Sequence, residues 1–251
     1  MSAAAVPAQP GWLIACGNFL FRHRNALFPA VWLAMLFVLH PWIAFGSAHA
    51  DALVDLVGIL LAASGQALRV SVIGFKYIVR GGVNKQVHAD ELVTTGLFSL
   101  SRNPLYVGNL MIYGGLLLVF NNPWAYLIAG GFFVFAYIAI VAAEEEFLRR
   151  KFGAAFDAYC REVPRWSLRW SRLAEVSKDL QFNWKRVIAK DYSTCAAWLL
   201  ILLVLLAYEH AIRIGGRPEV SVLMVYVGVG FMVILLMLVA RWAKKSGRLE
   251  G

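Results

Sequence analysis

The sequence predicts an all-α integral membrane bundle, and three observations predict it. Of 251 residues, 60% are hydrophobic and 16% charged, and the mean hydropathy is +0.65. The apolar residues gather into stretches long enough to cross a hydrocarbon core of about 30 Å, which takes about 20 residues of helix. The basic residues fall almost wholly on one side of those stretches.

Residues 1–25 form an expected interfacial segment. Arg22, His23 and Arg24 follow its apolar run, the reverse of the order in a secretory signal. Leu13-Ile14-Ala15-Cys16 has the letters of a lipoprotein cleavage box but no basic residues before it, so an amphipathic interfacial helix is expected instead. Six spans follow, at 26–45, 52–71, 104–120, 124–143, 194–212 and 220–240, the third of them short. Only 72–103 and 144–193 are long connections, which divides the chain into the N-terminal segment, a four-span core at 26–193 and two further spans with a basic tail at 194–251. With the N-terminus inside, 21 of the 24 Lys and Arg lie on the cytoplasmic side and Arg213 and Arg217 outside. Both termini are therefore expected in the cytoplasm, as in a bacterial inner membrane. The net charge of +9 needs anionic lipid headgroups and no nucleic acid.

Several chemistries lose support from spacing alone. Cys16, Cys160 and Cys195 are too scattered for a zinc or iron–sulfur site, and no metal is expected. Gly114-Gly115, Gly130-Gly131 and the pair at 228 and 230 lie inside spans, where small residues let helices approach, rather than in the strand-to-helix turn of a dinucleotide site.

Two polar clusters stand at the ends of apolar segments, where ionisable groups are costly and often functional. In the first, Ser101-Arg102-Asn103-Pro104-Leu105-Tyr106-Val107-Gly108-Asn109, Asn103 and Pro104 also suit a helix start and Tyr106 an interface. In the second, Glu144-Glu145-Glu146 is expected to begin an amphipathic helix with Leu148, Phe152, Phe156 and Tyr159 on its apolar face. Glu145 with Arg149 and Glu146 with Arg150 have the i,i+4 spacing that stabilises a helix by about 0.2–0.5 kcal/mol a pair, so helix support and ligand binding both remain open for these carboxylates. Asp55 and Arg69 lie near span ends and are read as snorkelling, and Glu209 and His210 as interfacial surface residues.

Together the clusters resemble a known superfamily. The residues concerned are Leu92 to Phe98, Arg102 to Gly108, Glu144-Glu145, Phe152-Gly153, Tyr159 and Val163-Pro164-Arg165. Their order and spacing are similar to those of the isoprenylcysteine carboxyl methyltransferase and phospholipid methyltransferase superfamily, over about 65–170. The resemblance implies S-adenosylmethionine as cofactor, bound at the cytosolic membrane face, and a lipidic acceptor entering from the bilayer. By position it implies that His88, Leu92, Val93, Phe98, Asn103, Pro104, Tyr106, Glu144 and Glu145 hold the cofactor.

Departures from that pattern concern the acceptor. Many relatives have His where this chain has Asp90, with His88 the nearest imidazole and a weak candidate base. Relatives that methylate prenylcysteine carboxylates carry an Arg where this chain reads Ala139 to Ala143. Arg102 and Arg165 are the candidate substitutes, and with Tyr106 they complete the catalytic candidates. An isoprenylcysteine carboxylate, a phospholipid amine and another polar lipid remain open as acceptors, as does the oligomeric state. The alternatives are an NADPH-dependent reductase of sterol-reductase type and a non-catalytic lipid-binding protein. A Glu145→Ala change is expected to abolish cofactor binding and leave the fold intact.

Overall fold

The computed structural model describes residues 9–75, 91–169, 181–215 and 219–249, and these are helical without a strand among them. Four helices are long and apolar enough to cross a membrane: α2 (Ala48–Phe75), α4 (Pro123–Phe152), α6 (Trp184–Arg213) and α7 (Val220–Lys245). The all-α expectation holds, while the count of six spans rests on two further helices that do not reach that standard. One is α3 (Pro104–Phe120), apolar but 17 residues long. The other is α1 (Gly11–Val38), whose middle carries Arg22, His23 and Arg24.

α1 is unbroken, so the expected boundary between an interfacial segment and a first span at residue 25 falls inside a helix. Its buried residues Leu13, Gly17, Leu20, Phe28, Trp32 and Met35 follow one helical stripe past that boundary. A Cβ on Gly17 would stand 2.0 Å from the carbonyl oxygen of Ala139, so glycine is what lets α1 lie against α4. Arg24 stays beside the aromatic ring of Phe21, at 4.3 Å from its centroid.

α2 and α3 pack antiparallel through small residues. A Cβ at Gly58 would meet the Gly115 oxygen at 2.6 Å, and one at Gly65 the Gly108 oxygen at 2.5 Å, with Ala62 between them. The packing role expected for span glycines thus holds at Gly115; Gly131 and Gly228 meet nothing within 4 Å among the described residues.

Asn122 caps α4 by accepting from the Trp124 and Ala125 amides at 2.8 and 3.3 Å, and Pro123 supplies the first turn. After a π-helical turn at Tyr126–Gly130 the helix runs to Phe152 and stops at Gly153, whose φ of +52° ends it. The three glutamates therefore lie within α4 and do not start a new helix, because no breaker precedes Gly153. The short amphipathic α5 (Ala154–Glu162) follows, with Phe156 and Tyr159 buried against Leu148 and Val163.

The core between α1, α3 and α4 is aromatic. Phe28 meets Phe133 and Tyr137 edge-on at centroid distances of 5.4 and 5.6 Å, and Tyr113 stacks on Phe133 at 4.4 Å. α6 packs against α2 and α3 and carries α7, which has no buried residue. Asn183 caps α6 through the Arg186 amide at 2.9 Å, and Phe182 lies over Gly74, where a Cβ would stand 2.3 Å from its ring.

Candidate functional site

At the end of the bundle where α3 begins, two connecting segments are held side by side. The Arg102 amide donates to the Pro164 oxygen at 2.9 Å, the Arg169 amide to the Leu100 oxygen at 3.0 Å, and the Asn103 side chain to the Arg165 oxygen at 3.2 Å. Asn103 does occupy the cap position before Pro104, but its side chain makes no capping bond and ties the two segments together instead. Tyr159 adds a fourth tie, from its hydroxyl to the Phe98 oxygen at 2.7 Å.

This pairing brings two guanidinium groups onto one carboxylate. Glu145, 3% exposed, accepts from Arg102 Nη1 at 2.8 Å and from Arg165 Nε at 3.1 Å, and Arg165 Nη2 reaches its other oxygen. Charge-assisted bonds of this kind are roughly twice as strong as neutral ones. The i,i+4 reading fails for Glu145, because Arg149 turns to Asp157 at 3.1 Å; it holds for Glu146 and Arg150 at 2.7 Å. Arg102 Nη1 also donates to Cys160 Sγ at 2.9 Å. Burial pushes the Cys160 thiol above its ordinary range, and the positive charge of Arg102 opposes that shift.

The preceding residue of α4, Glu144, is 7% exposed and accepts the Tyr106 hydroxyl at 2.5 Å. The Tyr106 ring lies 5.1 Å from that of Tyr137, whose hydroxyl accepts from Asn109 at 2.8 Å. Asn109 in turn accepts from Arg69 Nη1 at 2.5 Å, and Arg69 pairs with Asp191 of α6. Arg69 is 8% exposed and held inside the bundle, so the snorkelling expectation is wrong for it: a polar partner on each neighbouring helix makes burial affordable.

Of the expected cofactor and catalytic residues, Arg102, Asn103, Glu145 and Arg165 converge, with Tyr106 and Glu144 beside them. Pro104 is buried at the start of α3, Leu92 packs beside the Leu148–Tyr159 cluster, and Val93 is half-buried. Phe98 has its side chain inside a separate cluster with Val72, Leu97 and Leu100. His88 and Asp90 lie outside the described residues. Sequence reasoning missed Cys160, Tyr137, Asp191 and the buried role of Arg69. Asn109 was included as the last residue of the first polar cluster but was given no role.

A second ionic cluster occupies the opposite end. Asp51, Asp55 and Glu209 bring carboxylate oxygens within 4.8 Å of one another, and Arg213 pairs with Asp51 at 2.8 Å, with Asp55 at 3.7 Å and with Glu209. Glu209 is 3% exposed, so its placement on the surface is corrected: the helical register of α6 turns it toward α2. Asp55 likewise faces this cluster.

Beside the first site, α2, α3 and α4 leave an apolar groove of about 530 Å³ lined by Leu61, Val107, Leu110, Met111, Ile138 and Trp166. Trp166 is the neighbour of Arg165, so the groove reaches the segment that carries the ionic cluster.

The curated relatives include the nickel-cobalt-cadmium resistance protein NccN of Alcaligenes xylosoxydans xylosoxydans, 30% identical over 154 residues that make 59% of this chain and 65% of NccN. Another is the cobalt-zinc-cadmium resistance protein CzcN of Cupriavidus metallidurans, 29% identical over 170 residues, 63% of this chain and 70% of that protein. The match thus spans just under two thirds of NccN. No solved structure matches significantly. Residues 54–155, which hold the Arg102–Tyr106 segment and both buried glutamates, match the family described as phospholipid methyltransferase, the superfamily that the motifs resemble.

Proposed function

We propose that the chain transfers a methyl group from S-adenosylmethionine to a lipidic acceptor at the cytosolic face of a bacterial inner membrane, with both termini inside. The observation that carries the reading is convergence. Segments around Arg102, Glu145 and Arg165, far apart in sequence, meet at the end of the bundle that receives most of the basic residues, and two of the three lie in the matched family segment.

The donor set fits such a cofactor. Glu144 and the Tyr106 ring offer a carboxylate and an aromatic face to a sulfonium or ammonium group. Arg102 and Arg165 both engage Glu145 and are the guanidinium groups placed to meet a carboxylate. Glu145 therefore acts mainly by fixing the two arginines, and they take the place of the arginine missing from Ala139 to Ala143. Bound there, S-adenosylmethionine would supply an electrophilic methyl group for in-line displacement, so the protein's work is alignment and exclusion of water. Leu92, Val93 and Pro104 add apolar walls. The groove ending at Trp166 suits the tail of an isoprenylcysteine, a phospholipid or a related polar lipid. The relatives' names make nickel, cobalt or cadmium stress a context in which to look for the methylated product.

The test is transfer of tritiated methyl from S-adenosylmethionine by the protein in nanodiscs made from a bacterial lipid extract, with a prenylcysteine as second acceptor. Label in the lipid fraction, lost in Tyr106→Phe and Glu144→Gln, is the expected result. Binding and oxidation of NADPH without any binding of S-adenosylmethionine would replace this reading with a reductase.

A further inference from the structure

α6 lies outside the family segment at 54–155, yet it enters the candidate site's surroundings through one buried side chain, Asp191, which is 1% exposed. Both of its oxygens are engaged: Oδ1 by Arg69 Nη2, and Oδ2 by Gln66 Nε2 at 2.6 Å. Gln66 is itself fixed, since its oxygen accepts from Trp198 Nε1 at 2.9 Å. Asp191 thereby sets the direction in which Arg69 presents its remaining Nη1 hydrogens.

That direction propagates because arginine only donates. Asn109 must turn its oxygen to Arg69, so its amide nitrogen faces Tyr137 and donates to the hydroxyl at 2.8 Å. The Tyr137 hydroxyl spends an acceptor site on Asn109 and directs its own hydrogen elsewhere. Its ring lies against that of Tyr106, 5.1 Å between centroids with a 39° tilt, and Tyr106 donates to Glu144.

We propose that Asp191 is a positioning residue for the Tyr106–Glu144 pair, acting through Arg69, Asn109 and Tyr137, so that α6 is part of the working site and not an accessory span. The proposal rests on the reading of that pair as part of the cofactor site. Without the Asp191 charge, Arg69 loses its fixed direction, Asn109 is free to exchange its amide ends, and the Tyr137–Tyr106 packing loses its anchor. An ion pair that merely fastened α6 to α2 would affect stability without distinguishing Tyr106 from any other residue.

The test has two arms, both on the full chain in nanodiscs. In the first, titration of S-adenosylmethionine into Asp191→Asn should show affinity lowered by roughly five- to ten-fold, the size that remote coupling changes reach. In a Tyr137→Phe background the same substitution should cost less than about two-fold, since coupled residues are not additive; Asp191→Glu should recover most of the loss. In the second arm, with no cofactor, the protein is labelled with 3-fluorotyrosine and the Tyr106 resonance is assigned with Tyr106→Phe. Asp191→Asn should shift that ¹⁹F resonance, and Arg69→Lys serves in its place if that variant does not fold. An unmoved Tyr106 resonance, or equal losses of affinity in both backgrounds, would overturn the positioning role. Failure of the wild type to bind S-adenosylmethionine would sink the proposed function instead, and the fluorine arm would then decide the role of Asp191 alone.

Discussion

The two ends of the bundle solve the same problem with opposite arrangements of charge. At one end two guanidinium groups, those of Arg102 and Arg165, converge on Glu145. At the other, one guanidinium, that of Arg213, serves Asp51, Asp55 and Glu209. The first cluster joins two loop segments to α4 and depends on backbone bonds between those segments, whereas the second ties α2 to α6 and takes one backbone bond, from the Ala44 amide to Asp51 at 2.9 Å. Removing a group should therefore cost stability at both ends but binding only at the first.

Substitutions can break or sharpen this contrast. The largest effect is expected for Glu145→Ala, which removes the buried carboxylate that Arg102 and Arg165 share; breaking a buried pair costs about 3–5 kcal/mol. The expectation that this change would leave the fold intact is thus replaced: thermal unfolding in nanodiscs should show a clear loss of stability as well as loss of cofactor binding. Arg213→Met should cost as much as about 3 kcal/mol by the same argument while leaving affinity for S-adenosylmethionine unchanged. A large loss of affinity there would erase the distinction between the two ends. Gly115→Ala tests the close α2–α3 contact. Its Cβ would stand 2.3 Å from the Gly58 oxygen, and overpacking of this kind costs about 1–3 kcal/mol by the same unfolding measurement. Glu146→Ala removes the helix-surface pairs with the exposed Arg150 at 2.7 Å and with Arg149 at 3.8 Å and should cost about 0.2–0.5 kcal/mol for each, with binding unaffected. Finally, maleimide should reach the exposed Cys16 before Cys160. Because burial raises the Cys160 thiol, its labelling should become appreciable only at a pH above that of an unburied thiol.

Much of the first cluster was legible because its residues fall in compact local motifs. Arg102 to Tyr106 and the glutamate run stand out against apolar neighbours, and Pro104 marks the start of α3 by its own backbone limits. The helices were legible from length and apolarity, but their ends were not: the glutamates looked like a helix start because polarity changes there, while the chain obeys backbone geometry and continues to Gly153. The unbroken course of α1 was hidden for the same reason, since Arg22 to Arg24 change polarity without breaking the helix. The second cluster and the Asp191–Arg69 pair were illegible in principle. The pair spans 122 positions, and the second cluster joins Asp51 and Asp55 to Glu209 and Arg213, more than 120 positions away; only the packing of α6 on α2 makes these carboxylates partners rather than interfacial charges.

The central claim is that the end of the bundle around Glu144 and Glu145 holds S-adenosylmethionine. Calorimetric titration of the purified protein in lipid nanodiscs tests it most directly, with Glu144→Gln, Arg213→Met and NADPH as comparisons. The account predicts saturable binding of S-adenosylmethionine by the wild type and by Arg213→Met, sharply weakened in Glu144→Gln. Undiminished binding in a folded Glu144→Gln protein, or binding of NADPH in place of S-adenosylmethionine, would contradict it.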